Sequence, residues 1–185
     1  MATVFIAGSM NIKHLDSAFI DRLDKVIGSK LDIVVGDADG VDTSVQAYLV
    51  QRGAAFVTVF CSGTTPRNNV GRWRVKTIKS VHKAGSRAFF TEKDVEMAHS
   101  ADYGLMLWDA KSTGTLSNVI ELLAQKKKSV VFVNKAKVFV VVGEAAQLED
   151  LLAFMSETAR LKAEQKIGLS EKVEALKHDQ SAFAF

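Results

Sequence analysis

Residues 111–115 bring an ammonium, Lys111, and three hydroxyls, Ser112, Thr113 and Thr115, into one short stretch. They lie where an apolar run, Leu105 to Trp108, gives way to helical spacing at Leu116, Val119 and Ile120. Free backbone N–H groups at a helix start attract anions, phosphate above all, and hydroxyls and a lysine strengthen that attraction. Thr113 or Thr115 can cap the helix, and Gly114 lets a ligand approach the backbone. Asp109 opens the same loop.

Carboxylates gather in a second loop, Gly36-Asp37-Ala38-Asp39-Gly40-Val41-Asp42. Asp37, Asp39 and Asp42 have the chemistry to hold ribose hydroxyls or a metal; Asp42 can equally cap the helix that follows. No histidine pairs with these acids at a ligand spacing, so no metal is expected. Arg67, Asn69, Arg72, Trp73 and Arg74 lie on or just after a loop at 61–72, which contains the only proline, Pro66. There an arginine can pair with a phosphate and Trp73 can stack on a base. The alternative is a core tryptophan with solvated arginines. His14, His82, His99 and His178 are scattered and read as surface or capping residues. Cys61 reads as a buried, inert thiol.

The elements that must position these residues follow from hydrophobic period. Strands are expected at 2–7, 32–36, 55–60, 104–108, 129–133 and 138–142, with a short one at Arg87 to Phe90. Helices are expected at 16–28, capped by Asp16 and closed by Gly28, and at 42–52, 73–83 and 115–127. Another begins after Thr91 and runs to about Ser100. The β-α-β-α-β opening implies parallel strands. The short link Asn134 to Lys137 suits a hairpin, so the last strand is expected to be antiparallel. Three apolar strands run into small, polar loops: Ala7-Gly8-Ser9, Gly36 to Asp42 and Asp109 to Thr115. In an open α/β sheet such loops gather at the carboxyl ends of the strands and form the ligand crevice.

The expected architecture is α/β and Rossmann-like. A mostly parallel sheet carries helices on both faces in residues 1–143, and a C-terminal helical extension and tail occupies 144–185. The extension breaks at Gly168 with a new cap at Ser170. Leu148, Leu151, Leu152 and Met155 form one apolar stripe. A second, Leu161, Ile167, Leu169, Val173 and Leu176, has no evident partner in so small a domain. It therefore suggests a homodimer interface. The final HDQSAFAF reads as a loose tail.

The chain has 185 residues, 48% hydrophobic and 24% charged, a globular balance. A net charge of +3, from 24 basic and 21 acidic residues, falls short of the dense basic footprint that phosphate-backbone binding needs. Nucleic acid is not the expected partner. Lys126-Lys127-Lys128 reads as a solvated helix end. The single cysteine excludes an intramolecular disulfide. With no signal-like N-terminus and no long uncharged apolar span, a cytoplasmic protein off the membrane is expected.

The initial strand ending in Gly8-Ser9, the Gly-x-Ala-x-Gly-x-Asp loop at Gly36–Asp42 and the Ser-x-Gly-Thr loop at Ser112–Thr115 together resemble the SLOG superfamily. These are Rossmann-like domains related to the cytokinin-activating LOG enzymes and the DNA-processing SMF proteins. The resemblance spans about residues 1–133. It implies a site for a nucleotide or nucleotide-derived small molecule, without a further cofactor. The residues placed there are Gly8, Ser9, Gly36, Asp37, Ala38, Gly40, Asp42, Asn69, Arg72, Trp73, Asp109, Lys111, Ser112, Gly114, Thr115 and Asn118. LOG-like enzymes carry Gly-Gly-x-Gly-Thr-x-x-Glu, whose glutamate acts in glycosidic cleavage. In this chain Asn118 stands at the glutamate position, and Lys111 and Ser112 replace the first glycines. An amide is neither a general base nor a carboxylate nucleophile. Binding is therefore the expected activity. The alternatives are a nucleotide N-glycosidase, phosphoribohydrolase or deoxyribosyltransferase-like, with Asp37, Asp42 or Asp109 as its carboxylate, and a DNA-processing-type nucleic-acid-binding module.

Overall fold

The computed structural model describes residues 1–182. Its strands are β1 (Thr3–Gly8), β2 (Asp32–Val35), β3 (Val57–Ser62), β4 (Arg74–Ile78), β5 (Tyr103–Trp108), β6 (Lys128–Val133) and β7 (Val138–Val142). Its helices are α1 (Ser17–Gly28), α2 (Val41–Gln51), α3 (Arg87–Ser100), α4 (Thr113–Ala124), α5 (Ala145–Leu152), α6 (Glu157–Ile167) and α7 (Leu169–Ala182). One seven-stranded sheet runs in the order β4-β3-β2-β1-β5-β6-β7. Every neighbouring pair is parallel except β6 and β7, which form the expected antiparallel hairpin. This is a Rossmann-like α/β fold.

Alternation along the strands sorts two cores. Val4 and Ile6 of β1, with Leu105 and Leu107 of β5, face α1 and α2 through Phe19, Leu23, Val45 and Leu49. Phe5 and Ala7, with Met106 and Trp108, face the other way. There they meet Met97 of α3, Leu116 and Val119 of α4, and Leu148 and Leu151 of α5. The chain thus leaves β1 toward one face and β5, its neighbour, toward the other. Two adjacent parallel strands whose chains part in this way leave a crevice beyond their carboxyl ends.

Several boundaries differ from the sequence reading. Residues 73–83 hold no helix. Arg74 to Ile78 is a strand paired with β3, from Thr58↔Arg74 to Ser62↔Ile78. Val75, Thr77 and Ile78 are β-branched, and such residues suit a pleated edge better than a short helix. Arg87 to Phe90 is the first turn of α3. Ser86 caps it, its hydroxyl accepting from the Phe89 N–H at 3.2 Å. Thr91 lies inside the helix and donates to the Arg87 carbonyl at 2.9 Å. The cap of α4 is Ser112, not Thr113 or Thr115. Asp16 caps α1 as expected, but Gly28 is its last helical residue and Ser29 follows as the C-cap. Gly168 closes α6 in the left-handed conformation, at φ 61°. Residues 178–182, expected as tail, continue α7, and the rest of that tail lies outside the described residues.

The second apolar stripe has its partner within the chain. Leu169, Val173 and Leu176 are buried in the same core as Leu148, Leu151 and Met155, while Leu161 is 60% exposed. Val173→Ala should therefore cost about 1–3 kcal/mol in urea unfolding, and Leu161→Ala should stay within about 0.5 kcal/mol. Equal costs would contradict this packing.

Candidate functional site

A cleft of about 520 Å³ opens beyond the carboxyl ends of β1, β2 and β5. The structure brings all three small, polar loops to it. Gly8 of β1, Ala38 and Asp42 of the second loop, and Asp109 with residues 111–115 line it. Asn118 closes it from α4. A neighbouring cavity of about 750 Å³ shares Asp94, Asn118 and Lys166 with it and runs on between α3 and α4. The smaller cleft holds the strand-end loops.

The α4 loop is shaped by its own side chains. Asp109 Oδ1 accepts from the N–H groups of Lys111 (2.9 Å) and Ser112 (2.7 Å). Those two bonds fold the turn in which Ala110 takes φ 60°, a strained conformation for a residue with a Cβ. Ser9, fully buried, ties this loop to β1: its hydroxyl accepts from the Asp109 N–H at 3.1 Å. The Ser112 hydroxyl caps the Thr115 N–H at 3.5 Å. Among the described residues, no protein acceptor meets the N–H of Thr113 or Gly114. A Cβ added at Gly114 would meet only Ser112 Oγ, at 4.0 Å, so packing does not require glycine there.

Glycines in the other loops do serve packing. A Cβ on Gly8 would lie 2.3 Å from the Leu107 carbonyl oxygen, and one on Gly36 would lie 2.3 Å from Asp42 Oδ2. Gly40 sits at φ 83° against the backbone of Met10, where the first two loops touch.

A cluster of buried charge forms the floor. Lys93, 3% exposed, comes from α3 and donates to Asp94 Oδ1 at 2.5 Å. Its ammonium has three donors, and this is its one hydrogen bond among the described residues. Burial pushes Lys93 down, but the charges of Asp94 and Asp42 outweigh it and raise its pKa. Asp42 is buried beside it and accepts from the Ala38 N–H at 3.2 Å. Its position therefore stabilises the loop before α2; Gly40 is the N-cap. Burial pushes the Asp42 carboxyl up to about 7, with Asp94 and Asp37 adding to the rise and Lys93 opposing it. Asp37, 2% exposed, grips Arg67 in a bidentate pair at 2.7 and 3.2 Å. Burial pushes Asp37 up, yet the hydrogen bonds and charge of Arg67 prevail and hold it below the ordinary carboxylate range. Three carboxylates thus share two cations: Arg67 pairs with Asp37 and Lys93 with Asp94, and the carboxyl raised is that of Asp42, which has no salt bridge among the described residues.

Asn118 is 7% exposed and faces the cleft, and its amide makes no hydrogen bond among the described residues. Lys162 and Lys166, four apart on α6 and so on one face, stand at the mouth with Lys111. The Arg67 guanidinium lies 4.2 Å from the centre of the Phe90 ring, making a flat wall beside them.

Three expected site residues lie elsewhere. Asn69 holds both the N–H (3.0 Å) and the carbonyl (2.9 Å) of Trp73, and so folds the turn into β4. Trp73 packs on the α1–α2 core and donates from its indole to the Ala54 carbonyl at 3.0 Å. Arg72 is in that turn at φ 52°. From the same loop, Arg67 reaches the cleft. Asp37 and Gly36 stand behind the lining, as supports of Arg67 and Asp42. Lys93, Asp94, Phe90, Lys162 and Lys166 join the cleft without belonging to any of the three sequence loops. Lys93 offered one signal: a lysine on the buried face of a predicted helix needs a carboxylate partner. The described residues hold no metal-ligating group of three or more His, Cys, Asp or Glu, and no helix among them is long and apolar enough to cross a membrane. No protein-family model matches the chain, and no curated protein matches it significantly.

The Asp42 carboxyl ties stability to pH. Folded, it titrates near 7; unfolded, near its ordinary 3.8. Between those values the native state keeps a proton that the unfolded chain has lost. Its contribution is full below pH ~4 and is lost as pH rises through ~7, a decline of a few kcal/mol at most. Asp42→Asn should flatten the fall in urea-unfolding stability between pH 4 and 7 relative to the wild type. Parallel curves for the two proteins would contradict the assignment.

Proposed function

We propose that the protein binds a phosphorylated, nucleotide-derived small molecule in the cleft at the strand ends. The observation that carries this reading is the Asn118 side chain, only 7% exposed, which lines the cleft at the first turns of α4 and whose amide makes no hydrogen bond among the described residues. The free N–H groups of Thr113 and Gly114 lie on the same helix end. There backbone donors and the helix dipole favour a phosphate. The unused donors of Lys93, with Lys111, Lys162 and Lys166, add positive charge. The Arg67–Phe90 wall offers a flat surface for a base, and Asn118 supplies a donor and an acceptor for its polar edge. The SLOG resemblance of the three loops points the same way.

Calorimetric titration with nucleoside mono- and diphosphates tests the reading. Gly114→Ala should leave the fold intact, since nothing crowds that Cβ, yet weaken binding roughly tenfold by intruding on the phosphate. Phe90→Ala should weaken nucleotide binding while sparing that of inorganic pyrophosphate. No binding by any nucleotide in the series, or full binding by Gly114→Ala, would contradict it.

A second reading is hydrolysis of an N-glycosidic bond. It is favoured by Asp42, a cleft carboxyl that still carries a proton near neutrality and so suits protonation of a leaving base. Asp37 and Asp109 suit that work less, because Arg67 and the loop amides occupy them. With Asn118 in place of a glutamate, incubation with AMP and related monophosphates should release no free base on chromatography. Rapid release abolished by Asp42→Asn would instead establish the hydrolase.

A further inference from the structure

The two edges of the sheet differ in kind. At one edge β4 reads Arg-Val-Lys-Thr-Ile, and its Lys76 bonds to Glu96 at 2.6 Å. Charged side chains of this sort blunt an edge against other strands. At the opposite edge β7 reads Val-Phe-Val-Val-Val, with no charge, proline or glycine. Among the described residues no strand pairs with its outer side. Val138 and Val141 are 40% and 49% exposed. An apolar edge strand with no charge of its own is a template for another strand; the Arg22 guanidinium lies 4.9 Å from the centre of the Phe139 ring. The charges flanking it are ordered: Lys135 and Lys137 precede β7, and Glu144 follows it.

We propose that β7 pairs antiparallel with β7 of a second copy of this chain, about a two-fold axis at Val140. Antiparallel pairing of a strand with itself is self-complementary, as a two-fold dimer requires. This register sets Phe139 opposite Val141 of the second copy, and the reverse. An aromatic ring against a β-branched residue is a favourable cross-strand pair, and it covers the exposed Val141. The same register lays the lysine-bearing start of each β7 beside Glu144 of the other copy. In this register Ala136 falls opposite Glu144, so Lys135 and Lys137 flank the acid; Lys137 already bonds to Asp16 at 2.8 Å, which leaves Lys135 as the neighbouring cation without that bond. The result is one sheet continuous across both copies. The α6–α7 stripe takes no part, because its large side chains other than Leu161 are already covered within the chain.

The test is sedimentation equilibrium on the full chain, from low micromolar to several hundred micromolar, with thermal unfolding as a check on folding. The wild type should dimerise. Val141→Lys, at a half-exposed position, should be monomeric with its unfolding transition retained, whereas Leu161→Lys should dimerise like the wild type. Lys135→Glu, on the exposed hairpin, should raise the dissociation constant roughly fivefold, because two pairs change at once. Adding Glu144→Lys should restore it. A wild type monomeric throughout, a Val141→Lys dimer, or a dimer lost with Leu161→Lys would overturn the proposal. An unchanged dissociation constant in Lys135→Glu would overturn the register at Val140.

Discussion

The candidate site depends on a buried ammonium. Lys93 enters from α3 and carries positive charge to the floor of the cleft, where Asp94, Asp42 and Asp37 surround it electrostatically. A lone charge at that depth would be neutralised or expelled, because burial costs far more than one hydrogen bond returns. Asp94 beside it on α3, with the charges of Asp42 and Asp37 from α2 and its loop, makes it tolerable, and Gly36 leaves room for Asp42 Oδ2 and Lys93 Nζ on either side. The cluster therefore joins α3 to the β2–α2 loop. Through Asp37 and Arg67 it also reaches the long loop before β4. Breaking one pair would strand its partner, so the elements around the cleft are coupled through charge as well as packing.

Above that floor the cleft is divided in function. Backbone N–H groups, lysines and the dipole of α4 concentrate positive potential on one side. The Arg67 guanidinium over the Phe90 ring adds a planar pair to the lining. In the loop that enters α4, Ala110 takes the left-handed conformation, and the bonds from Lys111 and Ser112 to Asp109 over-determine the turn. The helices after β7 contribute through α6, whose Lys162 and Lys166 overhang the mouth. They thus serve two ends at once: they cover the apolar face of the sheet and complete the charge of the cleft.

Sequence pattern by itself determined the sheet, its parallel character, the final hairpin and the three loops of the cleft. Each rests on local grammar: a β-branched apolar run, a glycine-bearing polar turn, then a helical period, all within a few residues. Asp109 and Gly114 were legible for that reason. The short elements between residues 73 and 90 were not. Their segments are polar and weakly periodic, and pairing with β3 decides that Arg74–Ile78 is a strand. Only tertiary structure could decide which side chains meet across the cleft. Asn69, Arg72 and Trp73 have the right chemistry for a ligand, but hydrogen bonds within their own turn direct them to the sheet edge. Lys93, Asp94, Lys162 and Lys166 lie on helices far from the loops in sequence. Where a helical side chain points is set by which face the helix buries, and that depends on packing against strands distant along the chain.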